Sequence, residues 1–201
     1  MALAMDGPAR APEDPRELDR ATLERCAKGD PLAFRAFVVR HERAVFALLS
    51  RMLGRGAHVE DLAQETFLRA YRALPTFDLD GTARVSTWLL TIATRLALDL
   101  RKRRGPELAK DADTEAPAID PSTPETERAR RELGRAIARA AAALPDDQRA
   151  AFVLAEFHGL SVADIAAALE VPENTAKTRL FRAREKMRAA LEAWGPQRRD
   201  A

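Results

Sequence analysis

SVADIAAALEVPENTAKTRLFRAR, residues 161–184, decides the fold. Ser161 with Asp164 three residues on is an Asp variant of the capping box, and it opens a short helix through Leu169. Glu170-Val171-Pro172 reads as a tight turn, and a long helix follows from about Glu173 to Trp194. Short helix, turn and longer basic helix make a helix-turn-helix. Ala163, Ala166, Ala167 and Ala168 keep the first helix thin, so the second can cross it closely. Ile165, Leu169, Val171 and Leu180 supply a small core. Thr175, Lys177, Thr178, Phe181, Arg182 and Arg184 lie outside it, with Asn174 or Glu173 at a helix N-terminus suited to a phosphate. Lys177/Phe181 and Thr178/Arg182 are i, i+4 pairs on one face. An Arg there can fork onto guanine, a discrimination of roughly 1–3 kcal/mol. The competing reading is a plain helical hairpin with a charged surface.

Upstream, the pattern is helical as well. Asp30-Pro31 is an N-cap and first helical residue. Phe34, Phe37, Val38, His41, Val45, Leu48, Leu49 and Met52 then recur at steps of three and four, until Gly54 and Gly56. A second helix from about Val59 carries Leu62, Ala63, Phe67, Ala70, Tyr71 and Leu74 and stops at Pro75. Residues 76–86 read as an exposed loop, and Ser86 or Thr87 as the cap of a third helix with Trp88, Leu89, Ile92, Ala93, Leu96 and Leu100. Thr123-Pro124-Glu125 opens a helix that ends at Pro145, and Asp146 to Phe157 is another, closed by Gly159.

The chain has 201 residues, 46% hydrophobic, 32% charged and only 5% aromatic. This favours small helical modules over a β-sandwich or barrel. One cysteine, Cys26, excludes an internal disulfide framework. His41, His58 and His158 have no metal-ligand spacing, and neither a metal nor another cofactor is expected. No apolar run reaches the roughly 18–20 residues that cross a bilayer. Pro8, Pro12 and Pro15 with no apolar stretch argue against a secretory signal, so the expectation is a cytoplasmic chain without membrane insertion.

Net charge is +2, but its distribution is uneven. Arg101-Lys102-Arg103-Arg104 is a cationic block. Residues 105–127 hold seven acids and one base, a net −6; residues 172–190 hold six bases and two acids, a net +4. Two cationic surfaces on either side of an anionic tether suit one extended polyanion held at two places; ordinary solvated helix faces are the alternative. The expected layout is all-α. It has a mostly disordered segment 1–27, a helical bundle 28–104, a flexible Pro-containing acidic linker 105–123, the helix-turn-helix domain 124–194 and a loose tail 195–201.

Two further groups stand out. Asp61, Gln64 and Glu65, at steps of three and four, lie away from the Leu62/Phe67 stripe as an acidic, hydrogen-bonding ridge. Paired carboxylates can serve as general acid and base, yet no nucleophile, histidine or metal ligand accompanies them. By spacing alone, solvated surface, a protein-docking face and catalysis stay open in that order. Phe77 in a polar loop and Trp88 ahead of the cationic block suit single-stranded nucleic acid, where bases stack on rings. The alternative is that both are core, and for Trp88 the continuing stripe Leu89, Ile92, Leu96 favours it.

These residues resemble a known family. Glu60-Asp61-Leu62-Ala63-Gln64-Glu65-Thr66-Phe67-Leu68-Arg69-Ala70-Tyr71, Ser86-Thr87-Trp88-Leu89 and the basic helix end resemble region two of bacterial sigma factors. Leu144-Pro145 with Gln148, Gly159-Leu160-Ser161, Asp164-Ile165-Ala166 and Val171 to Arg184 resemble region four. Two regions, a short linker and no region three is the layout of the extracytoplasmic-function (ECF) group, and the resemblance spans about residues 28–192. It implies a non-enzymatic initiation factor that binds core RNA polymerase and promoter DNA, with an anti-sigma factor as a further partner.

Asp61, Gln64 and Glu65 match the ridge that docks on the polymerase clamp. Phe77, Trp88, Arg95, Arg101, Lys102, Arg103 and Arg104 match the part that reads and opens the minus-ten element. Asn174, Thr175, Lys177, Thr178, Phe181, Arg182 and Arg184 match the minus-thirty-five helix. The acidic linker is similar to a segment threaded toward the RNA exit path. Departures are Arg95 where Asn is common, Val85 and Leu90 where aromatics are frequent, and Glu170 in place of a turn Gly. With Glu170 there, the turn need not be left-handed. A sigma-mimicking domain that sequesters an anti-sigma factor is the rival, disfavoured by the basic recognition helix. A hydrolase using Asp61/Glu65 lacks a pocket-forming fold signal.

Overall fold

The computed structural model describes residues 17–54, 56–104 and 124–194. Residues 1–16, the expected acidic linker 105–123 and the tail 195–201 lie outside the described residues. Among the described residues the α-helices are α1 (Arg20–Ala27), α2 (Pro31–Leu53), α3 (Ala57–Ala73), α4 (Val85–Arg104), α5 (Pro124–Ala142), α6 (Asp146–Glu156), α7 (Val162–Leu169) and α8 (Glu173–Trp194), with one 3-10 turn at Leu74–Thr76.

The first unit is built around α2. Asp30 accepts from the Leu32 and Ala33 amides and Pro31 follows, so three of the amides exposed at a helix start are satisfied or absent. Gly54, at φ +82°, ends the helix. Between them Phe37, Val45, Leu48, Leu49 and Met52 are wholly buried. Phe37 sits 5.5 Å from Phe34 and 6.3 Å, edge-on, from Phe67 of α3. Truncating such a ring in a close-packed site costs about 3–5 kcal/mol.

The folded part begins earlier than the sequence reading placed it. Residues 1–27 are expected to be mostly disordered, but α1 packs on α2 with Leu23 and Cys26 buried, and Asp19 caps it through the Thr22 amide. A helix this short shows a single i, i+3 apolar pair, too little to register as a period. Burial also pushes the Cys26 thiol pKa up, which leaves it largely protonated and unreactive. The start of α4 differs too. The helix begins at Val85, and the Ser86 amide donates to the Glu17 carboxylate, 69 residues away, at 3.1 Å.

In the second unit the Ser161/Asp164 capping box forms with both arms. Ala150, Ala151, Val153, Leu154, Ile165, Ala168 and Ala176 are packed closely enough to be 0–1% exposed. Glu170 corrects one expectation. It does adopt the left-handed region, at φ 54° and ψ 47°, a conformation costing of order 1–3 kcal/mol for a residue with a Cβ. The Val171 amide donates to Ala166 and the Glu170 amide to Ala167, so the turn closes the carbonyl end of α7.

The two units are packed together. One buried cluster runs from Leu89, Leu90, Ala93 and Ala97 of α4 into Leu154, Ile165, Ala166 and Ala168 of α6 and α7. A smaller cluster joins α5 to α8 through Ala141, Leu144, Ala183 and Met187.

Candidate nucleic-acid and polymerase interfaces

Helix α8 has two distinct faces. Ala176, Leu180, Ala183 and Met187 are buried at steps of four, three and four. The opposite side presents Asn174, Lys177, Thr178, Phe181 and Arg182, all exposed, with Phe181 at 63%. A ring that open in a packed domain has no folding role and is available for contact. The Thr178 hydroxyl donates back to the Asn174 carbonyl at 2.8 Å. Among the described residues, neither Lys177 nor Arg182 is ion-paired. Thr175 is half-buried, and Arg184 bonds Glu156 of α6 at 2.7 Å. The helix is braced from beneath by Arg179, 2.9 Å from Asp147.

Helix α4 and its preceding loop are arranged differently. Phe77 and Trp88 are both half-buried, with ring centroids 4.8 Å apart, at the edge of the main core. The loop between them is tied down. Arg20 of α1 donates to the Leu79 carbonyl at 3.1 Å and pairs with Asp80 at 2.7 Å, which holds the Asp80 carboxyl below its ordinary pKa. Asp78 closes the turn by accepting from the Asp80 amide. Lys102, Arg103 and Arg104 are exposed at the end of α4.

Arg101, expected to hold phosphate with them, stands apart. It is 8% exposed, its Nε meets Asp146 at 2.5 Å, and it donates to the Met52 carbonyl. Arg149 of α6 reaches the same Met52 carbonyl and also donates to Ala141, Ala142 and Leu144. Two guanidiniums thus close the carbonyl ends of α2 and α5. Burial, with Arg101 close by, pushes Arg149 down to about 10, still charged at neutral pH. The tertiary partners of Arg101 lie 45 and 49 residues away, which explains why a run of four like charges did not reveal its burial.

On α3, Asp61 and Gln64 are exposed, and Glu65 is half-buried and paired with Arg69 one turn on, at 2.7 Å. The three share an outward face opposite Val59, Ala63 and Phe67. Leu68 and Tyr71 extend it, 43% and 42% exposed, so Tyr71 is less enclosed than its stripe implied. No metal-ligand cluster adjoins the ridge among the described residues.

Between α2, the start of α4 and the α6–α7 turn lies a cleft of about 670 Å³. Arg40, Arg43, Arg51 and Arg84 face it, and the Arg51 guanidinium lies 4.2 Å above the Phe157 ring. Sequence reasoning missed this cleft together with Arg20, Glu17 and Arg149. Only Arg149 carried a local signal: it precedes Phe152 and Val153 by three and four residues, which puts a cation on a buried stripe.

An acidic ridge on one helical unit and a basic helix-turn-helix on a second define a DNA-binding adaptor protein. Comparison with known proteins makes this specific. The family description Sigma-70 region 2 matches residues 37–107, and Sigma-70, region 4 matches residues 134–187. The chain is 36% identical over 186 residues to the RNA polymerase sigma-H factor of Pseudomonas aeruginosa, covering 88% of this chain and 95% of that one. It is 38% identical over 176 residues to the ECF RNA polymerase sigma-E factor of Haemophilus influenzae, covering 83% and 92%. Among solved structures it is similar to CnrH in complex with the cytosolic domain of CnrY, with a TM-score of 0.63, 30% identity and 87% and 97% coverage. It is also similar to the sigma factor RpoE of Bartonella quintana in complex with the anti-sigma factor NepR, with a TM-score of 0.59, 25% identity and 79% and 96% coverage. The chain belongs to the sigma-70 family of RNA polymerase sigma factors, in its ECF group. It is a sigma factor that binds core RNA polymerase and directs promoter-specific initiation of transcription.

Proposed function

We propose a division of labour over three faces. Asp61, Gln64 and Glu65 dock on core polymerase, with Leu68 and Tyr71 enlarging the contact. The α8 face with Lys177, Thr178, Phe181 and Arg182 reads the minus-thirty-five element as duplex. The α4 end, with the Phe77/Trp88 pair, engages the minus-ten element, and Lys102, Arg103 and Arg104 hold its phosphates. Strand opening costs a few kcal/mol per unstacked base, and pockets for extruded bases offset that cost. The protein performs no chemistry of its own; it works in the cytoplasm on the polymerase, and an anti-sigma factor holds it inactive. The complex of the similar sigma factor RpoE with the anti-sigma factor NepR motivates the last point.

The observation that carries this reading is the exposed Lys177/Phe181/Arg182 face on a helix whose other face is fully buried. The test is run-off transcription with core polymerase on a pool of genomic fragments. Discrete start sites bearing a shared upstream element are expected. Asp61→Ala with Glu65→Ala should abolish them by weakening core binding while the melting temperature stays unchanged. Unaltered core affinity in a native titration would remove the ridge from the polymerase interface.

A further inference from the structure

Two residues far apart in the sequence meet in the folded chain. Arg95, midway along α4, places Nη1 3.1 Å from Oε1 of Glu170. Its Nη2 donates to the Ala167 carbonyl at 3.1 Å, and its Nε approaches the Ala168 carbonyl at 3.4 Å. Those carbonyls belong to the last turn of α7, the negative end of that helix, where a cation is favoured. One planar guanidinium therefore faces three acceptors on the helix-turn-helix unit, more than 70 residues away in sequence.

Glu170 holds a left-handed conformation that glycine adopts without strain. The residue that closes the α7 turn thus also carries the carboxylate that receives Arg95. The side chains are 46% and 71% exposed, so solvent can compete for the contact and the pair can part.

We propose that Arg95 and Glu170 form an intrachain latch that ties the helix-turn-helix unit to α4. Its consequence for promoter use rests on the reading of α4 as the minus-ten helix. A guanidinium engaged on α7 is not offered to bases, so the latched chain presents its upstream-reading face and withholds part of the downstream one. Release frees Arg95 and shifts the balance toward separated units, with the buried α4–α6–α7 cluster still opposing separation.

The test is a pulsed dipolar distance measurement on the full chain, with spin labels at Val39→Cys on α2 and Arg188→Cys on α8. A dominant short separation is expected for the latched protein. Glu170→Gly keeps the turn and removes the carboxylate, so folding is retained. It should raise the ratio of long to short separations about threefold, as loss of an exposed pair allows, and Arg95→Gln should act in the same direction. Unchanged distributions in both variants, or no short population in the parent, would overturn the latch. The second readout is binding of a single-stranded minus-ten oligonucleotide by the holoenzyme. Tighter binding by Glu170→Gly supports the latch and its masking role together. Separated labels with unchanged oligonucleotide affinity leave the latch standing and remove Arg95 from minus-ten recognition.

Discussion

The α1–α4 unit and the α5–α8 unit solve opposite problems with the same secondary structure. The first stacks Phe34, Phe37 and Phe67 into a deep core and folds much of its expected DNA-contacting set inward: Phe77 and Trp88 pack on each other, Arg95 lies on α7, and Arg101 is buried. The second is cored largely by alanine, which lets α8 lie close on its neighbours and turns Lys177, Phe181 and Arg182 outward. A thin core leaves the Lys177, Phe181 and Arg182 face open, whereas the thick one keeps Phe77, Trp88, Arg95 and Arg101 engaged within the chain.

Breaking the cores separates the two most strongly. Phe37→Ala should destabilise the first unit by about 3–5 kcal/mol, seen as a lowered denaturation midpoint. An alanine core instead fails by overpacking: Ala183→Leu should cost about 1–3 kcal/mol and disturb α8 first, which amide exchange along that helix would register. Arg149→Ala should cost roughly 3 kcal/mol, because it strips the side-chain donor from the carbonyls at the end of α5 and one of the two donors, the other being Arg101, from Met52 at the end of α2. Since those ends belong to different units, the loss should appear in both, whereas a loss confined to α5–α8 would show that the junction does not couple them.

A smaller effect concerns His41, buried against Phe37 with centroids 4.7 Å apart. Burial pushes its pKa below the ordinary value of 6.5, opposed by Glu17 and aided by Arg40. The unfolded chain therefore takes up the proton first as pH falls. The stabilising contribution of neutral His41 is complete above pH 6.5 and is lost as pH drops below it. His41→Phe should flatten the pH dependence of stability in that window, measured by denaturant midpoints between neutral and mildly acidic pH.

The helices and the ridge were legible because each rests on local chemistry: Asp30-Pro31, the Ser161/Asp164 box, Gly54, and the period of Phe37 to Met52. What escaped was non-local. Nothing near Ser86 announces that Glu17 caps it, and nothing in a run of four cations singles out Arg101 for Asp146. Glu170 illustrates the limit from the other side. A residue that disfavours the left-handed region occupies it, with Arg95 of a distant helix bound to its side chain.

The readiness of the α8 face is the central claim, and Arg182 tests it most directly. The measurement is holoenzyme binding on a cognate and a scrambled upstream element across a salt series. Arg182→Ala should cost about 1–3 kcal/mol on the cognate element and less on the scrambled one. Neutralising Arg103 and Arg104 should weaken both alike and flatten the salt dependence by roughly one unit of slope for each phosphate no longer neutralised. An equal loss on both templates for Arg182→Ala would contradict base reading by that face.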